Sequence, residues 1–149
     1  MTADIKTAAE AVGVTAIITN STEKIETQLN RITDIDKLPI MLISWDLVTQ
    51  LTFDEHGFLD NPSTQVTLLL MGKAETKIKE EMEDTANQMG ELFQKFIFQL
   101  HSILSQYQKK SSEEVLTGIE YTLVPRHGAG QHSGILGRFT MKTRVVNCF

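Results

Sequence analysis

Between Thr76 and Gln108, apolar residues recur at steps of three and four over some thirty positions. Ile78, Met82, Met89, Leu92, Phe93, Phe96, Ile97, Leu100, Ile103, Leu104 and Tyr107 fall on one stripe, and that spacing predicts one long amphipathic helix. The acids of "KIKEEMED" stand near its start and Lys109 and Lys110 near its end, the signs the helix dipole favours. Gly90 interrupts the stripe and marks a kink or a close contact. Such a stripe needs a partner surface, and the flanking sequence supplies strands to build one.

In "DKLPIMLISW", Pro39 is poorly placed for a helix, and Ile40 to Ile43 form the short apolar run of a well-buried strand. "TQVTLLLMG" alternates Val66, Leu68 and Leu70 on one side and reads as a second strand, ended by Gly72. A long acidic hairpin loop with Asp54, Glu55 and Asp60 joins the two, with turn chemistry at Gly57 and Asn61-Pro62. After the helix, "IEYTLVP" reads as a third strand. The fourth shows the cleanest alternation in the chain, with Phe139, Met141, Thr143 and Val145 on one face and Arg138, Thr140, Lys142 and Arg144 on the other. Upstream, Ile25, Leu29 and Ile32 predict a short helix that Ser21 or Thr22 would cap. The expected fold class is α+β, ordered α-β-β-α-β-β, a mostly antiparallel sheet packed by a short N-terminal helix and a long central one. Residues 1–20 are expected as an arm or a helical turn, and 21–149 as a single domain.

Composition sets the outer bounds. A chain of 149 residues, 41% apolar and 22% charged, is the size and balance of one globular domain with its own core. The single cysteine, Cys148, cannot form an internal disulfide, which fits a reduced, intracellular origin. No stretch approaches the roughly 18 apolar residues of a membrane span, and the N-terminus lacks the pattern of a signal peptide. The net charge of −5 is unevenly spread: residues 1–120 hold all 19 acids and 10 of 14 Lys and Arg, hence −9, leaving +4 on the last 29 residues. Such a surface has two electrostatic faces, which bears on assembly.

The stretch "PRHGAGQHSG", residues 125–134, gathers the residue types that most often do chemistry. It has no Lys and leads into a strand, so it is no P-loop, and its G-x-G-x-x-x-G spacing is no dinucleotide fingerprint. Without a following helix there is no dipole to hold phosphate. His127 and His132 lack a third ligand, because His56 and His101 stand in the acidic loop and in the helix. Ser133 and His132 are adjacent, and adjacent side chains on an extended chain point apart. The acids of the 54–60 loop lack the dense D-x-D-x-D pattern of a calcium loop. The expectation is no enzyme, no metal and no cofactor, and a mobile, basic hairpin loop of about a dozen residues that orders on assembly. Arg138, Lys142 and Arg144 lie about 7 to 13 Å apart along their strand, and no aromatic residue interleaves them for base stacking.

The layout resembles the tail-terminator and tail-completion proteins of tailed bacteriophages. The likeness runs from about residue 21: a short helix, the "DKLPIMLIS" lead-in to a first strand, a long hairpin into "TQVTLLLMGKA", a long amphipathic helix, and a final hairpin ending in "RFTMKTRVVNCF". This chain departs from that pattern in a longer central helix and a glycine-rich last hairpin. The resemblance implies a ring of six or twelve copies at the head–tail junction of the virion, made in the bacterial host cytoplasm. Such a ring caps the tail tube and docks it to the head connector. Opposite charges suit head-to-tail contacts between copies, which close into rings when the rotation permits. On this reading the surface for a second copy or a neighbour comprises Arg126, His127, His132, Arg138, Lys142 and Arg144, with Asp54, Glu55 and Asp60 opposite. Passing DNA would meet the basic face only passively, and no membrane is involved. The rival is a small cytoplasmic adaptor that dimerises through its long helix, which exposure of Met82, Met89, Phe93 or Phe96 would favour.

Overall fold

The computed structural model describes residues 2–19, 39–44, 48–73, 79–107, 114–127 and 132–142. Helix α1 spans Thr2–Ala11, followed by β1 (Thr15–Thr19), β2 (Ile40–Ser44), β3 (Val48–Gln50) and β4 (Ser63–Lys73). Helix α2 spans Lys79–Leu104 and ends in a 3-10 turn, Ser105–Tyr107, before β5 (Leu116–His127) and β6 (His132–Lys142). The strands form one mixed sheet in the order β1-β2-β4-β6-β5. β1 runs parallel to β2 and the other pairs are antiparallel. β2 pairs with Leu68–Met71 of β4, and β3 pairs with Ser63–Gln65 farther along the same edge.

The α+β class therefore stands, with six strands where four were expected. β1 and β3 are the additions. Each is five residues or fewer, and the parallel partner of β1 lies beyond Pro39, so local pattern alone does not assign either one a place in the sheet. Residues 2–11, expected as an arm or a helical turn, form ten residues of helix. Its inward face is Ile5, Ala8 and Ala9, all fully buried, and alanines carry too little hydropathic contrast to register as a stripe. Gly13, at φ +77°, closes this helix: its N–H donates to Glu10 O at 3.1 Å and the N–H of Val14 to Ala9 O at 2.9 Å. That pair of bonds is a Schellman cap, and it turns the chain into β1. The helix expected on Ile25, Leu29 and Ile32 lies outside the described residues.

The main core lies between the sheet and both helices. Phe93, Phe96 and Phe139 meet there with ring centroids 6.2 to 6.5 Å apart, among Ile43, Leu68, Leu70, Ile135 and Met141. The stripe of α2 is consumed in this layer: Met82 is 5% exposed, Met89 9%, Phe93 1% and Phe96 0%. On the other face of the sheet, Ile40, Leu42, Leu69 and Met71 form a second buried cluster to which neither α1 nor α2 contributes. β2 is thus buried on both faces, as its unbroken "IMLI" predicts.

Two glycines set the spacing of the layers. A Cβ on Gly137 would stand 2.8 Å from the ring of Phe93, and one on Gly134 would run into the backbone carbonyl of Leu70 on β4. Neither has a positive φ, so each is needed for close approach and not for a turn. Gly90, read as a kink or close contact, is the latter: a Cβ there would lie 3.0 Å from the ring of Tyr121. Gly134→Ala must displace backbone, and overpacking of this kind costs about 2–3 kcal/mol. Thermal unfolding should fall by roughly 5 to 10 °C. Phe98→Ser, at a side chain 69% exposed on α2, should shift it by less than about 2 °C.

Candidate functional site

"PRHGAGQHSG" is shorter as a loop than its composition suggests. β5 continues through Pro125, Arg126 and His127, and β6 begins at His132, the cross-strand partner of His127. Only residues 128–131 separate the strands, and they lie outside the described residues. Ser133 and Gly134, expected in the loop, are buried strand residues against β4. The expected loop of a dozen residues is corrected on that account: the ladders to β4 and β5 hold both of its ends.

The candidate residues separate into two groups. Arg126, His127 and His132 lie at the end of the β5–β6 hairpin, where His132 pairs with Lys73 of β4. Lys142 lies at the other end of β6 opposite Ser63, about 34 Å away along an extended strand. Arg144 is outside the described residues. The antiparallel register that puts Ser63 beside Lys142 also brings in Asp60, and Lys142 Nζ stands 3.7 Å from Asp60 Oδ2. The acidic loop and the basic strand, expected to meet between copies, thus meet at this point within one chain. The pair is about a quarter exposed, and pairs of this kind contribute at most about 1 kcal/mol. Arg138 is exposed on the face opposite the helices, in register with Thr67 and Glu120.

The carboxylates of the 54–60 segment serve its own backbone. Asp54 Oδ1 accepts the N–H groups of His56 and Phe58, each at 2.9 Å, and Asp60 Oδ1 accepts that of Asn61 at 2.8 Å. Main-chain bonds close the turn: Asp54 N to Phe58 O at 2.7 Å, Gly57 N to Asp54 O at 3.1 Å, and Asp60 N to Thr52 O at 2.8 Å. Gly57, at φ +81°, takes the left-handed position. The result is a built hairpin tip. Its surface is a feature that sequence reasoning missed: Leu51 is 63% exposed, Phe53 73%, Phe58 71% and Leu59 37%. Leu51 and Phe53 alternate with the polar Thr52 and Asp54 in the sequence, but alternation does not say whether the apolar side meets a core.

Two further surfaces stand out. Ile119, Tyr121 and Leu123 lie half-exposed on β5, the strand at one end of the sheet order, where Tyr121 also accepts a hydrogen bond from Gln94 at 3.3 Å. An open cleft of about 800 Å³ lies between the end of α1 and α2, lined by Val12, Gly13, Leu92, Lys95 and Phe98 among others. None of the candidate residues lines it. Among the described residues no three His, Cys, Asp or Glu side chains stand close enough to hold a metal. No described helix is long and apolar enough to cross a membrane. His56 sits on the hairpin tip before β4, and His127 and His132 lie beside the far end of that strand, so the three do not converge on one pocket.

Replacing His127 and His132 by alanine together should leave the unfolding temperature and the oligomer mass unchanged. Metal analysis of the purified wild type should find less than about 0.1 zinc per chain; stoichiometric zinc that disappears in the double variant would identify a metal site at this hairpin. Compared with known proteins, the chain matches no family model and no curated sequence.

Proposed function

We propose that this protein is a structural ring-forming subunit at the head–tail junction of a tailed phage, where it caps the tail tube and docks it to the connector. The observation that carries the reading is where apolar surface remains after folding. The long helix buries its stripe within its own chain, so the face that a helix-mediated dimer needs is occupied. Among the described residues, the large exposed apolar groups other than Phe98 lie on two unlike surfaces, the end strand β5 and the tip before β4. Two unlike surfaces suit a subunit with two kinds of neighbour, copies of itself around a ring and a different protein docked to it. The α+β class, with a long helix on one face of the sheet, supports the reading at that coarse level. Among the described residues Arg138 is the exposed cation of the β6 face, and a passive contact with DNA would involve it before Lys142, which faces Asp60.

Light scattering with negative-stain imaging of the purified protein should give rings of six or twelve copies. A compact dimer would overturn the ring and restore the adaptor. Arg138→Glu should weaken assembly or docking while changing monomer stability by less than about 0.5 kcal/mol. An unchanged assembly profile would make this face ordinary solvated surface.

A further inference from the structure

We infer that the hairpin tip carrying Leu51, Phe53, Phe58 and Leu59 is a preformed knob for a neighbouring protein that presents an apolar groove with a cationic rim. The inference deepens the docking half of the proposed function and rests on that reading for its setting, not for its chemistry. Phe53 and Leu59 are directly cross-strand. The hydrogen bonds on either side of them join Asp54 to Phe58 and Asp60 to Thr52, so theirs is the non-hydrogen-bonded kind of pair, with side chains close together on one face. Leu51, two residues before Phe53, shares that face. Four large apolar side chains are exposed within nine residues, whereas on α2 Phe98 is the one such exposed side chain among the described residues.

The tip is also already built. Its turn is closed by main-chain bonds and by Asp54, so a partner meets a fixed shape and little ordering cost opposes binding. Aromatic anchors entering a pocket are the groups that dominate such contacts.

Charge selects the occupant. Residues 51–60 include Asp54, Glu55 and Asp60 and no Lys or Arg. Lys142 offsets Asp60, which leaves the exposed end of the tip anionic around its phenylalanines. Anionic lipid surfaces recruit apolar groups flanked by Lys and Arg, and this pattern is the reverse. A second copy of the chain is a poor match as well. Among the described residues of β5, no Lys or Arg lies between Ile119, Tyr121 and Leu123, and Phe98 shares its flank of α2 with both Glu91 and Lys95. The complementary surface is therefore a foreign apolar groove edged by Lys or Arg.

The probe is a displayed library of random peptides, selected on the intact protein and counter-selected on Phe53→Ser/Phe58→Ser. The expected winners combine large apolar residues with Lys or Arg. Their synthetic forms should bind the double variant at least about tenfold more weakly. Glu55→Lys, or a rise from about 0.05 to 0.5 M salt, should weaken binding several-fold. The double variant should keep the wild-type unfolding temperature; if it does not fold, Phe58→Ser alone and Glu55→Lys carry the same comparison. Winners without cations, or winners that bind the serine variants equally well, would overturn the inference. So would sedimentation in which the tip variants abolish self-association, since the occupant would then be a second copy. Flotation with phosphatidylcholine–phosphatidylglycerol vesicles that requires the tip would overturn it in favour of a membrane. A protein that binds such peptides but never forms rings keeps this inference and loses the ring; rings whose tip selects nothing do the reverse.

Discussion

The arrangement depends on how closely α2 can approach β6 at Phe93. Because residue 137 is glycine, the ring lies down on the strand where a Cβ would stand only 2.8 Å from it. From that seat Phe93 meets Phe96 and Phe139, and forms a T-shaped pair with Tyr121 at 5.7 Å. These contacts tie helix, central strand and end strand into one layer. The helix is then spent as an interaction surface. A side chain as large as phenylalanine gains about 1.5–3 kcal/mol from full burial, so pulling this stripe out for a partner would lose far more than one new contact returns.

The last glycine of the stretch that most invites a catalytic reading answers to a similar requirement. Gly134 lets β6 close on β4, where a Cβ would meet the Leu70 carbonyl. Ser133 beside it is fully buried. The histidines at the edges of the stretch are cross-strand partners in a ladder, and the ladder fixes where they stand. A composition that resembles a loop can thus be strand wherever two neighbouring strands need to come close.

Electrostatic design follows from register as well. Along the sequence, acids and bases separate between the first 120 residues and the last 29, which suggests faces that meet between molecules. Antiparallel pairing of β4 with β6 returns part of the basic segment to the acidic one, and Lys142 reaches Asp60 within the same chain. Among the described residues, Arg138 on the open face and the anionic, phenylalanine-bearing tip are two of the surfaces left for partners. The two differ in kind, one polar and one apolar, which suits a protein proposed to contact more than one neighbour.

The long helix, the buried run at Ile40–Ile43 and the alternating faces of Arg138–Lys142 were all legible in the sequence: the helix and the last strand rest on local periods, and the unbroken run after Pro39 is too short for a buried helix. The chain by itself also shows no P-loop, dinucleotide or calcium-loop pattern. Three matters waited for the tertiary structure. The parallel pairing of β1 with β2 joins segments separated by twenty residues, and no local pattern encodes that partner. Helix α1 buries alanines, whose value lies in close approach and not in hydropathy. Finally, whether an alternating apolar face meets a core or solvent depends on what the fold places opposite it: helices cover Phe139, whereas Phe53 points its equal hydrophobicity at water.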